Sequence, residues 1–190
     1  MDGDEQARAD TKIGFDALQE RIEAAGFRRS VAVADWMPLL SALYGCQTRR
    51  KRGIVVSGRA GCGKTQFLRA VLSVFRSSSM WIPCYDVQSL EWLDWKESMA
   101  MLRNKSFLLL DDFGTDEPVN VYGTKNDRVA RLIMEWADWP KRFAKPMPMM
   151  LLATNLTSSD VEARYGARVA SRLRELQVVR MAGEDKRGAE

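Results

Sequence analysis

Residues 58–65 read Gly58-Arg59-Ala60-Gly61-Cys62-Gly63-Lys64-Thr65, which satisfies GxxxxGK[ST] at every fixed position. The apolar run Gly53-Ile54-Val55-Val56-Ser57 precedes the pattern, and a helical stripe of Phe67, Leu68, Val71, Leu72 and Phe75 follows it. Strand, glycine-rich loop and helix form the context in which this pattern cradles phosphate. The glycines let successive backbone N–H groups turn toward phosphate oxygens, and the helix N-terminus adds its positive end. In that arrangement Lys64 reaches the β- and γ-phosphates and the Thr65 hydroxyl ligates Mg²⁺. Cys62, inside the loop, is expected to be partly exposed.

The rest of the chain alternates in the way such a loop requires. Phe15, Leu18, Ile22 and Ala25 predict an amphipathic helix ending at Gly26, and Trp36, Leu39, Leu40 and Leu43 predict a second. The first either packs on the domain or docks on a partner. After the loop helix come a strand from Met80 to Tyr85, a helix over 87–102, and Phe107-Leu108-Leu109-Leu110. That last run has no polar alternation, as expected of a strand buried on both faces. Residues 114–124 read as a loop, and Val129, Leu132, Ile133 and Trp136 as a helix stopped by Pro140. A strand from Met149 to Ala153 follows, then a helix opened by a Ser159–Glu162 capping box and broken at Gly166. A further helix runs to Leu176, and Val178 to Met181 supplies a fifth strand. The alternation predicts an α/β fold, a parallel sheet with helices on both faces.

Polar residues at strand tips project into the crevice where open α/β sheets bind ligands. Asp111 ends the 107–110 run and is placed to hold Mg²⁺. Asp112, next to it, is the candidate to orient or deprotonate an attacking water. Thr154-Asn155 ends the 149–153 run. Asn155 either bonds a γ-phosphate or lytic water, or simply forms a turn. Arg168 and Arg172 are four apart and share a helix face, distinct from the apolar face of Val169, Leu173 and Leu176. They suit either a neighbouring subunit's γ-phosphate or a plain salt-bridged surface.

Composition removes several other classes. The chain of 190 residues is 46% hydrophobic, enough for a core and too much for disorder. It has no histidine, which excludes Ser-His-Asp and Cys-His catalysis and any His-ligated metal. Cys46, Cys62 and Cys84 form no CxxC pair, so a zinc knuckle is out and a reducing cytoplasm is expected. The polar start MDGDEQARAD is no secretory signal, and no apolar stretch reaches membrane-spanning length. Charge is uneven: residues 1–25 carry seven acids and three bases, while Arg49-Arg50-Lys51-Arg52 and five arginines within 164–180 are basic clusters.

The segments GRAGCGKT (58–65), FLLLDDFG (107–114), LLATN (151–155) and RYGARVASRLRE (164–175) together resemble the helicase-loader branch of the AAA+ ATPases, the DnaC/IstB-like group and its phage relatives. The resemblance implies a P-loop NTPase fold of the AAA+/ASCE kind. Its parallel sheet would have five strands in the order 5-1-4-3-2, without a C-terminal helical lid; Lys186 and Arg187 offer a weak sensor-2-like contact. Asn155 matches the sensor-1 position, and the arginine finger maps onto Arg172, with Arg168 supporting it or in its place. The implied function is an ATP- and Mg²⁺-dependent DNA-replication accessory that self-assembles on single-stranded DNA and loads or remodels a replicative helicase. Slow, assembly-dependent hydrolysis fits Asp112 where many relatives have glutamate. The alternatives are a transposition helper acting with a transposase, and a nucleotide-gated scaffold or P-loop kinase. The implied organisation is an N-terminal helical or linker segment, 1–48, as the partner-docking part, an ATPase domain over 49–181 and a polar tail over 182–190. Lys125 and Arg128 are placed toward a central channel. The implied setting is the cytoplasm of a prokaryotic cell or phage-infected host.

Overall fold

The apolar runs form β1 (Gly53–Ser57), β2 (Ser79–Pro83), β3 (Phe107–Phe113), a short hairpin of β4 (Val119–Val121) and β5 (Thr124–Asn126), then β6 (Met149–Thr154) and β7 (Gln177–Arg180). The helices are α1 (Phe15–Ala24), α2 (Met37–Arg49), α3 (Lys64–Val74), α4 (Trp95–Leu102), α5 (Arg128–Ala137) and α6 (Ser158–Leu173). This computed structural model describes residues 15–24, 37–49, 52–84, 95–102, 104–117, 119–121, 124–138 and 148–181. Gly26, Trp36, Arg50, Lys51, Pro140, residues 85–94 and the tail with Lys186 and Arg187 lie outside the described residues.

The main sheet runs β2-β3-β6-β1-β7, and every pairing in it is parallel. Counted in chain order, its strands stand 5-1-4-3-2, the arrangement expected. Alternation along each strand feeds two cores. Ile54, Val56, Phe107, Leu109, Leu151 and Ala153 point to the layer of α1, α2 and α3. Val55, Leu108, Leu110, Met150 and Leu152 point to the layer of α4, α5 and α6. The apolar stripe of α1 belongs to the first core: Leu18 and Ile22 are fully buried. Burial of each stabilises by about 1.5–3 kcal/mol, so Leu18 and Ile22 are covered by the domain itself, while Asp16, Ala17, Glu20, Arg21 and Ala24 face outward.

Two local expectations are revised. Residues 114–124 are not wholly loop, since Val119–Val121 pairs antiparallel with Thr124–Asn126. The cap of α6 stands two residues earlier than Ser159: Thr157 Oγ1 accepts from Asp160 N at 3.2 Å, and Asp160 Oδ2 accepts from Thr157 N at 2.8 Å. Asp160 stands here where the box usually has glutamate or glutamine. Gly166 divides α6 as expected, and its φ of 85° and ψ of 163° fall in a region that is essentially glycine's alone. A Cβ there would meet nothing within 4 Å, so the constraint is backbone strain rather than contact. Gly166→Ala is expected to lower stability by about 1–3 kcal/mol. The readout is a lower urea midpoint at unchanged slope; an unshifted midpoint would mean that the bend is not held in solution. No helix among the described residues is long and apolar enough to cross a membrane.

Candidate functional site

β1 delivers the chain to the glycine-rich loop at the C-terminal end of the sheet. Gly61 and Gly63 hold positive φ values of 77° and 97°, which turn the backbone sharply into α3. No side chain caps α3, whereas Asp127 caps α5 and Thr157 caps α6. The N-cap of α3 is Gly63, which has no side chain to offer, and the positive end of a helix opened in this way suits an anion. Lys64 is only 6% exposed. Its Nζ donates to Gly58 O at 2.8 Å and Arg59 O at 2.7 Å, which holds the ammonium against the loop. Cys62 departs from expectation, for it is 1% exposed and packs in the core with Phe67 and Leu68. The loop closes so tightly that Cys62 Sγ lies 2.8 Å from where a Cβ on Gly58 would stand.

Across the loop, Thr65 Oγ1 donates to Asp111 Oδ1 at 3.0 Å, joining residues 46 positions apart. Asp111 is buried at the end of β3. Burial holds its carboxyl above the ordinary carboxylate range, and the bond from Thr65 works against that rise. A hydroxyl and a carboxylate oxygen side by side are hard donors of the kind Mg²⁺ takes, so the donor set fits that ion.

Asp112 is half-exposed and has a φ of 51°, the sole non-glycine residue with positive φ among the described residues. The cause is a bulge. β3 and β6 pair Leu110 with Leu152 and then Phe113 with Thr154, so Asp111 and Asp112 together face Ala153. The extra residue lets Asp111 keep to the α3 side while Phe113 switches to the α4–α6 core. Thr154 Oγ1 donates to Phe113 O at 2.7 Å and accepts from Leu156 N at 3.0 Å. These bonds fix the β6 tip and leave Asn155 exposed. A cavity of about 1070 Å³ opens beside the loop, lined by Gly58, Arg59, Asn155, Arg174, Arg180 and Met181 among others.

The structure therefore gathers Gly58, Arg59, Lys64, Thr65, Asp111, Asp112 and Asn155 at one end of the sheet. It does not bring Arg168 or Arg172 there. Arg172 pairs with Glu175 at 3.3 Å and with Asp138 at 4.0 Å, and Glu175 also pairs with Arg52, just before β1. The five residues of β1 separate that group from the phosphate loop by roughly 16 Å at the usual rise. Arg168, a turn earlier, is exposed and has no hydrogen bond or ion pair among the described residues.

Two features lie outside the sequence reading. Arg180 pairs in register with Ser57 at the tip of β7, so the strand-tip rule that singled out Asp111 and Asn155 points to it as well. The other is a buried contact of Tyr165 with Asp116, for which no local pattern exists. Cys84 is no candidate nucleophile, because burial and the carboxylates of Asp116, Asp111, Asp112 and Asp127 push its thiol well above the ordinary range.

No family model and no curated protein matches the chain. Among solved structures it is similar to the crystal structure of DnaI, at 18% identity and a TM-score of 0.53, over 77% of this chain and 86% of that one. A variant of Thermotoga maritima RuvB aligns at 15% identity and a TM-score of 0.48, over 80% of this chain and 45% of RuvB. The likeness to DnaI is one of fold, and that fold is the P-loop AAA+ type.

Proposed function

We propose that this chain binds and hydrolyses ATP with Mg²⁺, and that it works as a self-assembled AAA+ protein on single-stranded DNA, loading or remodelling a replicative helicase. The carrying observation is the phosphate loop with Lys64 held against it and Thr65 bonded to Asp111. The helicase part leans on the resemblance of the four motifs and on the fold shared with DnaI, a DnaC-like helicase loader. Residues 49–181 form the ATPase domain in this reading, residues 1–48 the docking segment and 182–190 a tail. With Leu18 and Ile22 buried, docking falls to the outward residues of α1, among them Asp16, Glu20 and Arg21.

Within the site, Gly58 to Gly63 and the α3 N-terminus bind the phosphates, and Lys64 contacts the β- and γ-groups. Thr65 and Asp111 hold Mg²⁺, which supplies charge neutralisation between those phosphates. Asp112 orients or deprotonates the lytic water, and Asn155 aligns that water or the γ-phosphate from the next strand tip. Asp112→Asn is expected to leave ATP binding intact and slow turnover by about 10²–10⁴-fold. Phosphate release against ATP titration checks this. If Asp112→Asn hydrolyses at the normal rate, the exposed Glu117 takes the role, because Asp116 is buried and committed to Tyr165 and Arg164.

DNA binding tests the wider reading. A net charge of +4 is too small for a strong monomeric polycation, so binding is expected to need ATP-driven assembly that repeats a modest basic surface. Lys125 in β5 and Arg128 at the start of α5 supply it. Anisotropy of a labelled oligonucleotide should show ATP-dependent binding whose log–log salt slope is about 0.7 per phosphate contacted. Lys125→Ala with Arg128→Ala should flatten that slope and leave ATP binding unchanged. Absence of binding at low salt in every nucleotide state would leave a nucleotide-gated scaffold, while tight binding without ATP would point to the Arg49–Arg52 run.

A further inference from the structure

The C-terminal half of α6 carries Arg168 and Arg172, and the residue just before its bend is tied to the opposite end of the site. Tyr165 is 9% exposed and Asp116 is 4% exposed. The Tyr165 hydroxyl donates to Asp116 Oδ1, while Arg164 Nη2 lies 3.7 Å from Asp116 Oδ2, with its guanidinium over the Tyr165 ring. The ring stacks on Phe113, centroids 4.5 Å apart and planes 22° apart. Phe113 faces Tyr165 only because of the bulge at Asp111 and Asp112. Burial and the bond to Asp116 both raise the Tyr165 phenol, which therefore stays a donor.

We propose that Tyr165 and Asp116 form a positioning link that couples the β3 end of one subunit's nucleotide site to the arginine-bearing half of α6 which that subunit offers to its neighbour. The proposal rests on the reading of the chain as an assembled ATPase. Its physical basis is that the segment 111–116 and the residue next to the Gly166 bend are joined by direct contacts. The Phe113–Tyr165 stack and the Tyr165–Asp116 bond join them on one side of the bend. The helix beyond it leaves at an angle set by Gly166, whose φ of 85° and ψ of 163° break the helical path and whose missing Cβ would meet nothing within 4 Å. Val169, Ala170 and Leu173 seat that half on the core, so a change at the bend alters the aim of Arg168 and Arg172 without unpacking the helix. Tyr165 and Asp116 touch no nucleotide; they act through the arginines.

The test uses the full-length chain and mixed assemblies. Tyr165→Phe keeps the stack and removes the hydroxyl. It is expected to lower kcat about tenfold to a hundredfold, the size of one lost hydrogen bond to a charged group, with ATP affinity and assembly unchanged. Asp116→Ala should match it, and the double variant should be no worse than either alone. Asp116→Asn, which keeps an acceptor for the hydroxyl, should retain most activity and gives a folded alternative if Tyr165→Phe is unstable.

Mixing then separates the possible causes. Tyr165→Phe mixed with Lys64→Ala should regain activity, because a sound pocket meets a sound arginine; mixed with Arg172→Ala it should not. The reverse pattern would place the defect in the subunit's own pocket and overturn the proposal, as would recovery in neither mixture or wild-type kcat in Tyr165→Phe. If Arg168→Ala and Arg172→Ala both hydrolyse normally while Lys64→Ala does not, the failure lies in the shared-site reading itself.

Discussion

Lys64→Ala is expected to abolish nucleotide binding at ordinary ATP concentrations and hydrolysis with it. The ammonium is nearly buried and fixed by two loop carbonyls at 2.8 and 2.7 Å. Arg59, the loop's other cation, is exposed and lines the cavity beside the loop. Removing one member of a desolvated charge pair costs about 2–5 kcal/mol, which is about thirtyfold to a few thousandfold in Kd. Titration with a fluorescent ATP analogue measures it. The fold should survive, because the methylene stem of Lys64 is a minor part of a core anchored by Phe67, Leu68 and Val71, and a thermal melt checks that. Binding at the wild-type level would mean that the loop holds its ligand through backbone N–H groups alone, and would remove the central premise of the proposed function.

The sheet was readable because its strands are apolar on both faces and its helices are not. Phe107 to Leu110 has no period, which itself predicts burial between two helix layers, and the α3 and α5 stripes repeat at helical spacing. The same lack of period hides the bulge. In a strand with two polar positions at its end, nothing in the order Leu110-Asp111-Asp112-Phe113 tells which side each residue takes. The structure resolves it through the register with β6, and the consequences are large: Asp111 meets Thr65, Asp112 adopts a left-handed backbone, and Phe113 crosses to the other core. Asp116 and Tyr165 are 49 positions apart and meet only after that crossing, so neither residue carried a local signal. The Arg172 ion pairs were equally hidden, since Asp138 and Glu175 come together through the packing of α5 on α6. Motif spacing thus pointed to the residues of the loop, while the contact between the end of β3 and α6 is a property of tertiary register.

Arg172→Ala is expected to bind ATP normally and to hydrolyse it about 10³-fold more slowly, the lower end for an arginine supplied in trans. The argument is one of distance and charge. Arg172 shares Glu175 with Arg52, which precedes β1, and so belongs to the group at the end of that strand away from its own phosphate loop. It has no means of serving that loop, but it faces outward at 34% side-chain exposure. Its pairs with Glu175 and Asp138 are partly exposed, and such contacts contribute about 0–1 kcal/mol. Exchanging them for a neighbour's γ-phosphate is therefore easy, and in the isolated subunit they hold the guanidinium ready. Arg168 has no ion pair among the described residues and stands one turn away, so Arg168→Ala separates the two candidates: the larger loss of kcat marks the residue that reaches the phosphate. Mixing Arg172→Ala with Lys64→Ala should restore part of the activity that neither has alone, because only a mixed interface joins an intact loop to an intact arginine. Phosphate release at a series of mixing ratios should peak near equal amounts. A flat, inactive series at concentrations where the wild type assembles would show that catalysis is completed within one subunit, and Arg172 would then be what its ion pairs make it in the monomer, a surface tie between α5, α6 and the start of β1.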